Sequence, residues 1–234
     1  MNQEARPVHS NQTGPHEDTL SVARRHWGAE FLKPIQAHNQ AAFDAVNERV
    51  QSWQGPIILD SCCGVGESTA KLAEQYPDAL VVGVDKSSHR LDKHDFYEAS
   101  SRGQRYYLVR ADLLDFWRLV AAAKWPVELH TILYPNPWPK QAHLSRRWHG
   151  SPVWPAVVQI GGQLQMRSNW STYLLEVAQA LSLNQVDASV GYLAMNPEQA
   201  MTPFERKYLA SGQALWRLTA DLTTAVTAVE NVDR

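Results

Sequence analysis

The sequence has two cysteines, no marked excess of either charge and no long apolar segment. Cys62 and Cys63 are adjacent, so they provide neither an ordinary disulfide framework nor a set of metal ligands, and we expect no bound metal. The formal net charge of −2 gives no overall drive toward nucleic acid, although it leaves room for a local basic patch. No apolar run approaches the ~20 residues of a membrane helix, and the polar N-terminus lacks the apolar core of a signal peptide. We therefore expect a cytoplasmic protein without a membrane partner.

Short strands alternate with helices through most of the chain. The strands are predicted over Ile57–Asp60, Leu80–Val84, Tyr106–Arg110, Leu129–Leu133, Gln163–Arg167, Ala188–Leu193 and Ala214–Leu222. The helices between them are predicted over Ser68–Gln75, Arg90–Ser101, Leu114–Ala123, Val153–Val158 and Ser171–Leu181. This alternation predicts an α/β fold with a mainly parallel seven-stranded sheet and helices on both faces.

A different pattern precedes the first strand. Residues 1–18 are polar and are expected to be extended or mobile, whereas apolar residues recur at helical spacing over Thr19–Trp53, with a break at Pro34. We therefore expect residues 1–53 to form an N-terminal extension whose helices cover the site. Residues 54–234 are expected to form the ligand-binding domain.

Acidic residues mark the ends of the first three predicted strands, where ligands of parallel α/β sheets bind. Asp60 ends the first strand, and Gly64 and Gly66 follow in a turn that lets an anionic group approach the start of a helix. Asp85 ends the second strand, where an acid can hold both hydroxyls of a ribose. Asp112 follows the third strand, and its carboxylate can accept a hydrogen bond from an adenine amine. Together these residues favour an adenosine ligand.

Each of these features also has a purely structural explanation. A tight turn between a strand and a helix requires glycine without any ligand, and an acid before a helix is a common N-cap. The succession of three such strand ends favours the ligand. Lys86 and Leu113, which directly follow the second and third acids, are expected to line it as well.

Four segments carry a resemblance to one family. They are L-D-S-C-C-G-V-G-E-S-T at 59–69, Y-P-N-P-W-P-K with H-L-S-R-R within 134–147, G-G-Q-L-Q-M-R-S-N-W at 161–170 and T-P-F-E-R-K at 202–207. In this order they resemble the motifs of the tRNA (guanine-N7) methyltransferases, which use S-adenosylmethionine (SAM). The resemblance covers Ile57–Leu218 and implies the Rossmann-like fold of the class I SAM-dependent methyltransferases.

The resemblance also implies a role for each matching residue. SAM is the implied co-substrate, with its methionyl end on the turn Asp60–Gly66, which includes Cys62. Asp85 is implied to hold the ribose, and Asp112 the adenine. The matching residues on the substrate side are Trp138, Lys140, Asn169, Thr202 and Glu205.

Two asparagines depart from the family's pattern. Asn136 stands at the Asp of the family's P-D-P-W, and Asn169 stands at the Asp of its T-D-W. An amide keeps an oxygen acceptor but lacks the charge that favours a guanine ring as it becomes positive on methylation. Asn136-Pro137-Trp138 instead resembles the N-P-P-Y/F/W loops with which other methyltransferases hold an amine nucleophile. Asparagine in a proline-rich turn is also common for backbone reasons alone.

A third departure is Cys62, because the usual turn has glycine near the amino-acid end of SAM. The extra side chain is expected to displace the methionyl chain, which would expose the γ-carbon to a nucleophile in place of the methyl group. The α-amine of SAM itself is one such nucleophile, and its attack would give azetidine-2-carboxylate and methylthioadenosine. A small shift of the loop is the simpler alternative.

A basic loop follows the fourth predicted strand, with Lys140, His143, Arg146, Arg147 and His149. In the family this loop meets tRNA, and such side chains can bind phosphates, bind one substrate carboxylate or stay solvated. We predict that Asn136, as the catalytic residue, orients a small-molecule amine or amino-acid-like substrate for attack on SAM. The alternatives are methylation of a tRNA guanine, with tRNA as the partner, and a non-catalytic SAM- or RNA-binding protein.

Overall fold

The computed structural model describes residues 5–94 and 105–226. Within these residues one sheet contains β1 (Ile57–Ser61), β2 (Leu80–Asp85), β3 (Tyr106–Arg110), β4 (Val127–Leu133), β5 (Gln163–Ser168), β6 (Ala188–Tyr192) and β7 (Trp216–Asp221). The helices are α1 (Thr19–Trp27), α2 (Ala37–Ser52), α3 (Glu67–Gln75), α4 (Ser88–Leu91), α5 (Leu113–Ala123), α6 (Trp154–Ile160), α7 (Ser171–Ser182) and α8 (Pro203–Ala210). Two short 3-10 segments, Gln141–Arg146 and Trp148–Gly150, lie between β4 and α6.

The strand order is β3-β2-β1-β4-β5-β7-β6, and all neighbouring strands are parallel except β7, which runs antiparallel to β5 and β6. The order reverses between β1 and β4, and ligands of α/β sheets bind at such a switch point. The predicted α/β fold with a mainly parallel seven-stranded sheet is therefore confirmed.

The predicted ends of the strands differ from the observed ends by at most two residues, and β3 matches at both ends. β4 begins at Val127 rather than at Leu129, because Val127 pairs with Ile57 across a shift in register. The predicted helix Arg90–Ser101 extends beyond the described residues, within which the helical turn α4 ends at Leu91.

Helices pack on both faces of the sheet. On one face, α2, α5, α6 and α7 form the main core, in which Phe43, Phe116, Trp154 and Leu174 are buried. On the other face, a smaller apolar cluster includes Leu72 of α3. Because α2 contributes to the main core, the helices before residue 54 pack with the sheet as one unit. No helix in the described part of the chain is long and apolar enough to span a membrane.

The residues before α1 form a strap, defined here as residues 5–18, that lies against the folded chain. The backbone N–H of Ala5 donates to Ser211 Oγ at 2.9 Å, and Ser10 Oγ donates to the carbonyl of Pro139 at 2.7 Å. Gln12 Nε2 donates to Glu176 Oε1 at 3.0 Å. The strap therefore crosses both α7 and the loop that follows β4.

Candidate active site

A cavity of about 650 Å³ lies at the carboxyl ends of β1 to β4. Its volume falls in the range of roughly 300–1,000 Å³ that is usual for small-molecule sites. Its wall brings together residues that are far apart in the sequence. The predicted site residues on this wall are Cys62, Gly64, Asp85, Lys86, Asp112, Leu113, Asn136, Trp138 and Thr202.

The turn after β1 forms one side of the cavity. Gly64 has φ +61°, and a side chain placed there would meet no atom within 4 Å, so its backbone borders open space. The Gly64 N–H donates to Asp85 Oδ2 at 3.1 Å, which ties the turn to the end of β2. Cys62 also has positive φ, +64°, although it is not glycine. Cys62 therefore places a side chain where the usual turn has glycine. Its backbone still adopts the left-handed conformation, at the cost of some strain.

Two residues predicted to hold the ligand instead support the turn from behind. Asp60 is fully buried and accepts hydrogen bonds from Ser68 Oγ at 2.6 Å, Thr69 Oγ1 at 2.8 Å and Thr131 Oγ1 at 2.8 Å. Gly66 begins α3 with φ +77°, and a Cβ there would lie 2.6 Å from a ring nitrogen of His94. Their contacts position the turn, and neither residue lines the cavity.

The acids at the ends of β2 and β3 both reach the cavity. Asp85 accepts from the N–H of Ser87 at 2.8 Å and from Arg90 Nη1 at 3.1 Å, in addition to Gly64. Since a carboxylate offers about four acceptor positions, binding both ribose hydroxyls requires Arg90 to move away. Asp112 Oδ1 caps α5 by accepting from the N–H of Leu114 at 3.0 Å, while Oδ2 has no hydrogen bond to the described residues.

The loop after β4 forms the opposite side of the cavity and has an unusual backbone. Tyr134 and Trp138 have φ of +52° and +45°, a region that bulky side chains rarely adopt. Asn136 lies between them, and its Oδ1 accepts from the N–H of Trp138 at 3.3 Å. Backbone strain of this kind tends to concentrate at functional sites. Because an amide oxygen accepts two hydrogen bonds, one acceptor position of Asn136 Oδ1 is still available to a ligand.

Aromatic side chains supply much of the remaining wall, and only Trp138 among them is a site residue predicted from the sequence. Tyr134, Trp148 and Phe204 line the cavity together with Trp138. The Trp148 side chain lies next to the Cys62 thiol. Burial, with the nearby acids, raises the pKa of Cys62 to about 12, so the thiol is neutral. Aromatic faces attract cations, so this wall suits a sulfonium group.

The other predicted substrate residues lie around the cavity rather than on its wall, apart from Thr202, which also caps α8. Glu205 is buried, and its carboxylate accepts from Tyr134 Oη at 2.6 Å and from Arg167 Nη1 at 2.9 Å. Asn169 Nδ2 donates to Gln213 Oε1 at 2.9 Å, and Lys140 is exposed. In this conformation Glu205 acts on the cavity through Tyr134.

Two basic residues of this loop are buried rather than exposed. Arg147 and His149 are fully buried against Glu176, with N–O distances of 2.6 Å and 3.0 Å. Arg147 also donates to Gln12 Oε1 at 2.5 Å and to the carbonyl of Trp138 at 3.1 Å. Because one guanidinium joins the strap, α7 and the Asn136 loop, these side chains are not available to an RNA phosphate.

The wall therefore fits SAM, with carboxylates for an adenosine, an open glycine turn and aromatic faces for a sulfonium. Within residues 5–94 and 105–226, no group of three or more His, Cys, Asp or Glu side chains is arranged to hold a metal ion.

Comparison with known proteins gives the same assignment. A family model described as "Putative methyltransferase" matches residues 54–218. A tRNA (guanine-N(7)-)-methyltransferase of Acidithiobacillus ferrooxidans is 26% identical over 209 residues, which cover 85% of this chain and 88% of the relative. A protein of the same name from a Polaromonas species is 29% identical over 187 residues, which cover 69% of each chain.

Solved structures share the fold at lower identity. A variant of the 16S rRNA (adenine(1408)-N(1))-methyltransferase from Catenulisporales acidiphilia, solved with SAM, has a TM-score of 0.56 at 17% identity and covers 82% of this chain and 93% of its own. The 16S rRNA methyltransferase KamB has a TM-score of 0.54 at 19% identity, and the match covers 76% of this chain and 93% of KamB. The chain belongs to this methyltransferase family and is a SAM-dependent transferase with the class I methyltransferase fold, similar to the tRNA (guanine-N7) methyltransferases.

Proposed function

We propose that this enzyme catalyses a small-molecule reaction in which an amine attacks a carbon of the SAM sulfonium. The observation that carries the proposal is Asn136, an uncharged amide on the cavity wall between two strained aromatic residues. A carboxylate at this position would favour a protonated, unreactive amine, whereas an amide can accept an amine N–H and leave the nitrogen lone pair free. Bound SAM supplies the activated carbon. Holding the nucleophile in line with that carbon accounts for most of the rate, with little acid–base chemistry needed.

The most specific form of the proposal makes SAM its own acceptor. The neutral α-amine forms a bond to the γ-carbon while the bond from that carbon to sulfur breaks. Sulfur keeps the electron pair and leaves as the neutral thioether of methylthioadenosine. The nitrogen then loses one proton to water, which gives azetidine-2-carboxylate. N-methylation of a separate small amine is the other form of the same chemistry.

Cys62 supports reaction at the methionyl chain. Its side chain and that of Trp148 line the cavity at the turn where the methionyl end is expected to bind. The two side chains narrow the space that a glycine at position 62 would leave open. A narrower space favours a folded methionyl chain, in which the α-amine lies close to the γ-carbon.

Methylation of a tRNA guanine is the second candidate, and the names of the curated relatives favour it. The burial of Arg147 and His149 weighs against it, since nucleic-acid affinity depends on exposed cations that neutralise phosphates. The strap also occupies the carbonyl of Pro139, within the loop that meets tRNA in the family.

Labelled methyl transfer to unmodified tRNA separates the two candidates. We expect the wild type to give no incorporation above a no-enzyme blank at low salt, with the Acidithiobacillus ferrooxidans relative as the positive control. Incorporation that approaches one methyl group per tRNA and falls steeply with salt would contradict the small-molecule proposal.

A further inference from the structure

The cavity wall carries more positive than negative side chains. Its acids are Asp85 and Asp112, and its cations are Lys86, Arg90, Lys93 and Arg146. Three of the cations follow β2 within eight residues, beside the end that is expected to hold the adenosine. Arg90 is already paired with Asp85 at 3.1 Å. Arg146 differs from them because it comes from the 3-10 segment on the opposite wall.

The guanidinium of Arg146 is positioned but has no anionic partner. Its central carbon lies 4.9 Å from the centre of the Trp138 ring, so the planar group is held over an aromatic face. Within the described residues, Arg146 forms no ion pair and no side-chain hydrogen bond. The neighbouring Arg147 is buried against Glu176, which fixes the backbone from which Arg146 projects.

The neighbours of Arg146 connect it with the reacting end of the ligand. Trp148, two positions later, lies next to the Cys62 thiol at the turn after β1. Trp138, beneath the guanidinium, accepts through its carbonyl from Arg147 and donates its N–H to Asn136. Arg146 is thus flanked by residues that border the expected methionyl end and by residues that border the expected nucleophile.

We infer that Arg146 binds the α-carboxylate of the methionyl chain of SAM. A guanidinium pairs with a carboxylate through two parallel hydrogen bonds, which fixes orientation as well as position. With the carboxylate held there, the α-amine on the same carbon is directed toward the Asn136 side of the cavity. The inference rests on the proposed function for the direction of the amine, but the contact itself can be tested by binding alone.

The test compares two ligands that differ in the amino-acid part, S-adenosylhomocysteine and methylthioadenosine, by calorimetry on the intact protein. Arg146→Ala is expected to weaken the binding of S-adenosylhomocysteine about 10- to 100-fold, since a hydrogen bond to a charged group contributes roughly 1.5–3 kcal/mol. Methylthioadenosine lacks the carboxylate and so cannot lose this hydrogen bond. Its dissociation constant should change by less than about twofold. Arg146→Lys should recover part of the loss, because it keeps the charge but not the paired hydrogen bonds.

Arg49→Ala, an exposed arginine on α2, is the matched control and should leave both affinities unchanged. Equal weakening of both ligands in Arg146→Ala would overturn the inference, because it would mean that the arginine acts by packing on Trp138. Unchanged affinity for both ligands would also overturn the inference. A third result separates the inference from the proposed function. If Arg146→Ala weakens the binding of S-adenosylhomocysteine alone while the wild type transfers methyl groups to tRNA, Arg146 binds the carboxylate but the proposed function is wrong.

Discussion

Replacing Asn136 with alanine is expected to lower the rate of SAM turnover about 100-fold, because a misplaced nucleophile alone can cost that much. Within the described residues, the side chain of Asn136 contacts the N–H of Trp138 and otherwise borders the cavity. The dissociation constant of S-adenosylhomocysteine should therefore change little. Release of methylthioadenosine or methylated product, followed by chromatography, gives the rate.

Asn136→Asp is the sharper companion variant, since it keeps the shape and the acceptor toward Trp138 but adds a negative charge. A carboxylate stabilises the protonated amine, so the rate should fall at neutral pH and recover as the pH rises. Gln51→Ala, an exposed change on α2, should keep the wild-type rate. An Asn136→Asp variant that is faster than the wild type at neutral pH and methylates tRNA would contradict the amine proposal. It would show that Asn136 is a less effective replacement for the family's aspartate in tRNA methylation.

Replacing Glu176 with alanine is expected to destabilise the fold by about 3–5 kcal/mol, the usual result of leaving one member of a buried ion pair unpaired. Glu176 is fully buried and accepts from Arg147, His149 and Gln12. For a chain of this size the loss corresponds to a midpoint of thermal unfolding lower by about 6–20 °C. Calorimetric melting of wild type and variant measures it.

The same carboxylate makes stability depend on acid. Burial opposes its charge, but hydrogen bonds from His149, Arg147 and Gln12 lower the pKa of Glu176 from 4.5 to about 2. Its contribution is therefore complete above pH 4.5 and is lost as the pH falls toward 2. Glu74→Ala, which removes an exposed acid on α3, should melt like the wild type. A Glu176→Ala midpoint within about a degree of wild type would mean that this pair does not hold the strap and the loop together.

The strand ends explain why so much of the cavity could be predicted from the sequence. Asp85, Asp112 and Asn136 each lie within three residues of the end of a predicted strand, and parallel strands bring their carboxyl ends to one edge of the sheet. Two other predicted site residues make hydrogen bonds within the protein in this conformation. Asp60 is occupied by three hydroxyls, and Glu205 by Tyr134 and Arg167.

The burial of the basic loop could not be predicted, because its cause lies elsewhere in the chain. Arg147 finds its acid 29 positions later on α7 and its strap partner 135 positions earlier at Gln12. Local spacing carries no sign of either contact, and a run of cations without acids normally indicates a solvated surface. For the same reason, Trp148 and Phe204 could not be predicted as cavity residues, since each reaches the cavity only through tertiary packing.

Incubation of the purified enzyme with SAM alone, with the products identified by mass spectrometry, distinguishes cyclisation of SAM from methyl transfer. We predict methylthioadenosine and azetidine-2-carboxylate in equal amounts, both absent with Asn136→Ala. With the methyl group of SAM isotopically labelled, all of the label should stay in methylthioadenosine. Unchanged SAM, together with label transferred to tRNA when tRNA is added, would contradict the small-molecule reaction and show that the enzyme methylates tRNA.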